Sequence, residues 1–202
     1  MKKTVHFVRH AEALHNKDAK LFSDFYEGRH LSEDYIDSRL SEEGIKQCEH
    51  LKTILNEKVP FPDLIISSSL SRAIQTARIS YPSAEILVTD RCIERRADNI
   101  SDKRSDISYL KTIFDNVNFD DIEHDKYHLF DSDKEMHPTP FSSDKCISRA
   151  KAFIDYLFER PETNIIVFTH SVFLYHIVKA EGLSKNLKFK NAQLYTLTFE
   201  RA

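Results

Sequence analysis

Glycine is scarce in this chain: three in 202 residues, Gly28, Gly44 and Gly182, each standing alone. Ordinary usage of roughly 7% would give about 14. Neither G-x-G-x-x-G nor G-x-x-x-x-G-K-[S/T] occurs, which excludes the usual dinucleotide and P-loop sites. A phosphate ligand would have to be held by side chains, because there is no glycine-rich backbone cradle. Cysteine is also sparse. Cys48, Cys92 and Cys146 are an odd, dispersed set with no C-x-x-C. They give neither a disulfide framework nor a zinc site and point to a reduced, cytoplasmic compartment. No charge of one sign dominates: 29 Lys+Arg face 32 Asp+Glu, for a net charge of −3. Without a basic block, neither nucleic acid nor a membrane surface is an expected partner. No apolar run approaches the ~18 residues that would span a bilayer. Met1-Lys2-Lys3 begins like the n-region of a signal peptide, but His6, Arg9, His10 and Glu12 break the apolar stretch that would have to follow.

What is present is a globular balance, 41% hydrophobic and 30% charged, enough for one domain with a substantial core. Val5-His6-Phe7-Val8 reads as a buried strand ending at Arg9-His10. Residues 17–39 read as loop with a short helical piece. Ser41 caps a helix with Glu42 and Glu43 in its first turn, and Ile45, Cys48, Leu51, Ile54 and Leu55 follow helical spacing until Pro60 and Pro62. Asp63 to Ile66 is a second strand, Leu70 to about Ile79 a helix, and Glu85 to Val88 a third strand. Residues 92–140 differ in character, with an acid-rich stretch at 115–135, and read as an inserted lid within a single domain. A helix spans about Ser143 to Arg160, and a strand Ile165 to Phe168. The next helix runs to about Ala180 with Gly182 as its stop, and the last strand covers Ala192 to Phe199. Strands alternating with helices predict an α/β fold, a three-layer α/β/α sandwich on a mostly parallel sheet.

Such sheets bind ligands beyond the carboxyl ends of their strands. Arg9-His10 and His170 fall at strand ends, and Ser67-Ser68 follows another and leads into Arg72. Two imidazoles and two guanidiniums converging on one crevice suit a tetrahedral dianion. Arginine offers permanently charged, bidentate donors, and a neutral imidazole can act as a nucleophile.

These stretches resemble the histidine phosphatase superfamily, which also contains the cofactor-dependent phosphoglycerate mutases. Val8-Arg9-His10-Ala11-Glu12 with Asn16 is similar to its R-H-G signature, with Ala11 in place of the usual glycine. Asp37-x-x-Leu40-Ser41-x-x-Gly44-x-x-Gln47 matches the next segment. Ser68 to Ala77 matches S-x-L-x-R-A-x-Q-T-A, and Ile165 to Ser171 resembles the strand with the second histidine. The four segments occur in order between residues 5 and about 180. The resemblance implies that His10 is the nucleophile and becomes phosphohistidine. It implies that Arg9, Arg72 and His170, with Ser171 beside it, hold the phosphoryl oxygens, and that Asn16 donates to them. It places the general acid early in the lid, at Glu94, with Asp98 and Asp102 in reserve, and it resembles a plant and microbial branch in which Asp102-Lys103-Arg104 follows at this distance. Asp102 and Arg104 are then candidate substrate contacts.

The expected function is a metal-independent phosphomonoester phosphatase of the mutase-like branch, without a cofactor, acting on a small phosphorylated metabolite. Leu14-His15-Asn16 replaces the Trp-Asn ending of the glycolytic mutases, and residues 17–39 do not match their loop. A mutase-type phosphotransferase and a non-catalytic phosphate-binding protein are the alternatives. Tyr109, Phe119 and Tyr127 either line a pocket or pack in the core. The sequence leaves the substrate and the oligomeric state open.

Overall fold

The computed structural model describes residues 1–23, 29–94, 99–127, 144–183 and 188–201. Among them, six strands form one sheet in the order β4-β3-β2-β5-β1-β6. The strands are β1 (Lys2–Arg9), β2 (Leu64–Ser68), β3 (Ile86–Thr89), β4 (Val117–Asn118), β5 (Asn164–Thr169) and β6 (Leu194–Glu200). The β1–β5, β5–β2, β2–β3 and β3–β4 pairs are parallel, and β6 runs antiparallel to β1. The helices are α1 (Leu14–Leu21), α2 (Glu42–Lys58), α3 (Ser71–Ser80), α4 (Ile107–Ile113), α5 (Asp144–Glu159) and α6 (Ser171–Ala180).

Two apolar clusters cover the two faces of the sheet, which makes three layers. On one face, Phe153, Ile154 and Leu157 of α5 and Phe173, Leu174 and Ile177 of α6 pack on Val5, Phe7, Ile165 and Val167. On the other, Leu51 and Leu55 of α2 and Ile74 and Ala77 of α3 pack on Val8, Ile65, Ile86, Ile166 and Phe168. Alternate residues of the central strands thus serve opposite cores, as the two-residue period of a strand requires.

The helices start and stop for local reasons. Ser41 Oγ accepts the Gly44 N–H at 3.0 Å, capping α2. The buried stripe of α2 is Gly44, Cys48, Leu51 and Leu55. Ile45, expected in that stripe, is instead exposed, because it sits one residue, about 100°, away from Gly44 around the helix. After α6, Gly182 takes a φ of 67°. The N–H groups of Leu183 and Gly182 return to the carbonyls of Val178 and Lys179, which is the Schellman ending that a glycine permits.

Of the segment expected as an insertion, residues 99–127 are tied into the main body. Ile107, Leu110 and Phe119 join the second core cluster, β4 extends the sheet, and Tyr127 packs with Leu70 and Ile93. Phe119 and Tyr127 are core aromatics, while Tyr109 is half exposed and its hydroxyl accepts from Arg39. Residues 128–140, including the second half of the acid-rich stretch, lie outside the described residues. In its first half, Asp121 pairs with Arg91, and the Asp125 carboxylate accepts from Ser108.

Three buried cysteines are free thiols. Among the described residues no helix is long and apolar enough to cross a membrane.

Candidate active site

Register brings the site together. Arg9 stands opposite Thr169 across the parallel β1–β5 pair, and the His10 N–H continues the ladder to the Thr169 carbonyl at 2.8 Å. His10 and His170 therefore leave neighbouring strands at the same height. α2, the long helix after β1, and α6, after β5, lie on opposite faces of the sheet, so the chain parts at this point and a crevice opens. Ser68, at the end of β2, is within 2.7 Å of His170 Nε2 through its hydroxyl. α3 then delivers Arg72 from the third side. The rings of His10 and His170 are 5.1 Å apart between centroids.

The state of His10 follows from its partners. Nδ1 lies 2.7 Å from the Ala11 carbonyl, which can only accept, so Nδ1 carries the proton. Nε2 faces Arg72 Nε at 3.3 Å; a guanidinium can only donate, so Nε2 presents its lone pair. Burial, then the charges of Arg72 and its neighbours, push His10 well below the usual imidazole range. The same causes act on His170. Both rings are neutral at pH 7. A neutral Nε2 held among cations is a nucleophile facing an anion site.

Arg72 is fully buried. Beyond His10 it donates to the Ser101 carbonyl at 2.7 Å and to Asp102 at 2.8 Å. Burial nevertheless pushes the Asp102 carboxyl up to about 7, outweighing the pull of the guanidinium. Arg9 is partly buried and donates to the Phe189 carbonyl at 2.8 Å. Asp37 supplies the missing cap of α3. Leu70, the residue before the helix, has no capping oxygen, and the Asp37 carboxylate accepts the Ser71 N–H and hydroxyl, both at 2.7 Å. It also accepts the Ser105 N–H at 3.2 Å, tying the first loop, α3 and the 99–127 segment together beside Arg72.

The expected residues are distributed as follows. His10, Arg72, His170 and Asp102 meet in one buried cluster, and the partly buried Arg9 acts on both rings from beside it. Glu94 is buried at its edge, with its carboxylate accepting the N–H groups of Phe173 at 3.0 Å and Val172 at 3.3 Å, in the first turn of α6. Ser171 opens that turn. The Glu94 backbone carbonyl accepts from Arg149 of α5. Asp98 lies outside the described residues. One expectation is corrected. Arg104 is not in the cluster: its five N–H donors are engaged by Asp90 and the carbonyls of Ser105, His124 and Asp125, so it fastens loops and has none left for phosphate. Asn16 lies beside the cluster, its Oδ1 accepting the Ala13 N–H at 3.1 Å and its Nδ2 lying 2.9 Å from His15 Nε2, which engages one of its two amide N–H groups.

Sequence reasoning missed two participants, His15 and Asp37. His15 sits where the Trp-Asn ending was noted as absent, and its ring is 6.3 Å from that of His10. Asp37 was visible only as the first letter of a motif.

The comparisons give the family and the fold. The model of the histidine phosphatase superfamily (branch 1) matches residues 5–202. Phosphoglycerate mutase-like protein 1 of Arabidopsis thaliana is 28% identical over 213 residues, covering 88% of this chain and 71% of its own. A phosphoglycerate mutase from Bacillus anthracis superposes with a TM-score of 0.60 at 18% identity, covering 98% of this chain and 88% of that one. The alpha-ribazole phosphatase of Shigella flexneri does so with a TM-score of 0.56 at 16% identity, over 96% and 89%. At such identities the superpositions speak to the fold alone. The family match covers nearly the whole chain and includes every strand-end residue just described, and the chain belongs to the histidine phosphatase superfamily, branch 1.

Proposed function

We propose that the protein is a metal-independent phosphomonoester hydrolase that works through a phosphohistidine at His10 on a small phosphorylated metabolite. The observation that carries this is the tautomer: Ala11 holds the proton on Nδ1 and leaves Nε2 as a lone pair in a cationic pocket. Nε2 attacks phosphorus in line, the N–P bond forms, and the ester P–O bond breaks. Arg9, Arg72 and His170 hold the three remaining oxygens. Glu94, as the acid, gives its proton to the leaving oxygen. Its carboxylate then takes a proton from water as that water attacks phosphorus, and the N–P bond breaks to release inorganic phosphate. Asp102 steadies Arg72.

His10→Ala should abolish turnover of an aryl phosphate, and EDTA should leave wild-type turnover intact. Survival of activity in the variant, or its loss on chelation, refutes the corresponding part. The acid is tested by leaving group. Glu94→Gln should slow hydrolysis of alkyl phosphates far more than that of p-nitrophenyl phosphate, whose leaving oxygen needs little protonation. If Asp102→Asn gives that signature instead, Asp102 carries the proton.

The mutase-like names of the sequence relatives favour a second reading, phosphotransfer between positions of one substrate. That reading requires a phosphorylated primer, so activity dependent on added bisphosphoglycerate would support it over hydrolysis.

A further inference from the structure

We propose that His15 is a further hydrogen-bond donor to the phosphoryl group, its ring oriented by one amide N–H of Asn16. The proposal rests on the phosphate-pocket reading of the His10 cluster.

Two hydrogen bonds determine the state of the His15 ring. The Ala13 N–H can only donate, and it lies 3.1 Å from Asn16 Oδ1. This fixes which way the Asn16 amide points and turns Nδ2 toward His15 Nε2, 2.9 Å away. An amide nitrogen can only donate, so Nε2 accepts. In the neutral ring the proton is then on Nδ1, on the other side of Cε1. The ring is kept neutral by burial and by the charges of Arg72 and Arg9.

That Nδ1–H is cut off from solvent and has no partner among the described residues. A buried donor without an acceptor is costly and is rarely left in place without a purpose. No described group supplies the acceptor. His10, whose Nε2 is already faced by Arg72, lies 6.3 Å away between ring centroids, and the charged neighbours acting on the ring are the guanidiniums of Arg72 and Arg9. An oxygen of a bound phosphoryl group is the acceptor that completes the set.

The backbone that carries the ring is also tied down. The His15 backbone N–H donates to Ser38 Oγ at 3.2 Å. Further along α1, Asp18 accepts the Tyr35 hydroxyl at 2.6 Å. One ring nitrogen is paired and the other bare, on a ring 6.3 Å from that of His10, and such a donor suits a ligand in the pocket. The imidazole would thus add a donor beside the asparagine amide that the resemblance placed on the phosphate.

The test is calorimetric titration with orthovanadate, a phosphate analogue whose binding does not require turnover. Four proteins are compared: wild type, His15→Leu, His15→Asn and Arg9→Gln. Loss of a hydrogen bond to a charged group should weaken vanadate about tenfold to a hundredfold in His15→Leu. His15→Asn puts an amide N–H where Nδ1 stood and should recover most of the affinity, which a purely space-filling role would not explain. If His15→Leu binds like wild type while Arg9→Gln binds weakly, this proposal fails and the pocket reading stands. If wild type does not bind vanadate, the pocket reading fails and takes the proposal with it. Should His15→Leu not fold, nitrogen NMR of the wild-type imidazoles decides. Free protein should show the Nδ1–H tautomer of His15, with that proton shifting on vanadate addition; an Nε2–H tautomer or an unmoved proton overturns the assignment.

Discussion

Arg72 owes its place to a residue in a different part of the chain. Asp37 has a φ of 47°, a backbone state that asparagine also tolerates. Asp37→Asn therefore leaves the backbone unstrained and removes only the carboxylate that holds Ser71 and Ser105. Losing these charge-assisted bonds should cost about 1.5–3 kcal/mol of stability, read by urea unfolding, and should weaken vanadate binding through the loosened start of α3. Unchanged stability would show that Asp37 is incidental. At this scale the sequence exposed residue types and little else. His10, Arg9, Arg72 and His170 were legible because each follows a strand or opens a helix inside a motif. The proton positions on His10 and His15 were not, because they depend on a carbonyl and an amide whose orientation only the folded chain defines.

At the scale of elements, one glycine matters more than its chain-wide scarcity suggests. A Cβ on Gly44 would lie 2.0 Å from the Glu12 carbonyl oxygen. That carbonyl also accepts the Ser41 N–H at 2.9 Å, so α2 docks its first turn directly against the strand that has just delivered His10. Gly44→Ala must push the two apart. An overpacking loss of about 1–3 kcal/mol is expected, with a weakened response to vanadate; wild-type thermal stability in the variant would contradict the close approach. The boundaries of α2 and α6 were readable from Ser41 and Gly182, since caps are local chemistry. The tie of residues 99–127 to the core was not readable. The change in composition suggested an inserted lid, and that Ile107, Leu110 and Phe119 join the second core cluster depends on contacts distant in sequence.

For the molecule as a whole, the buried site should set the pH dependence of stability. His10, His15 and His170 are pushed well below the usual range. The unfolded chain, with imidazoles near about 6.5, takes up protons that the folded chain refuses. Stability from these groups is full above about pH 6.5 and is lost as pH falls toward their folded values. Asp102, pushed up to about 7, works in the opposite direction between about pH 4 and 7, but it is one carboxyl against three imidazoles. Urea unfolding should therefore show lower stability at pH 5.5 than at pH 7.5, with a steeper decline in Asp102→Asn. A flat or inverted profile would mean that the imidazoles are not buried as neutral rings.

The alternation of apolar runs with capped helices determined the α/β class, because strand and helix periods and caps are written in neighbouring residues. The motif order determined the family and four of the cluster's residues. Tertiary structure alone decided that parallel register sets His10 beside His170. It also decided that Asp37 caps α3 from across the site, that Arg104 fastens loops, and that an Asn16 amide N–H reaches His15. These outcomes rest on distances between segments far apart in the chain, and such distances exist only once both faces of the sheet have packed.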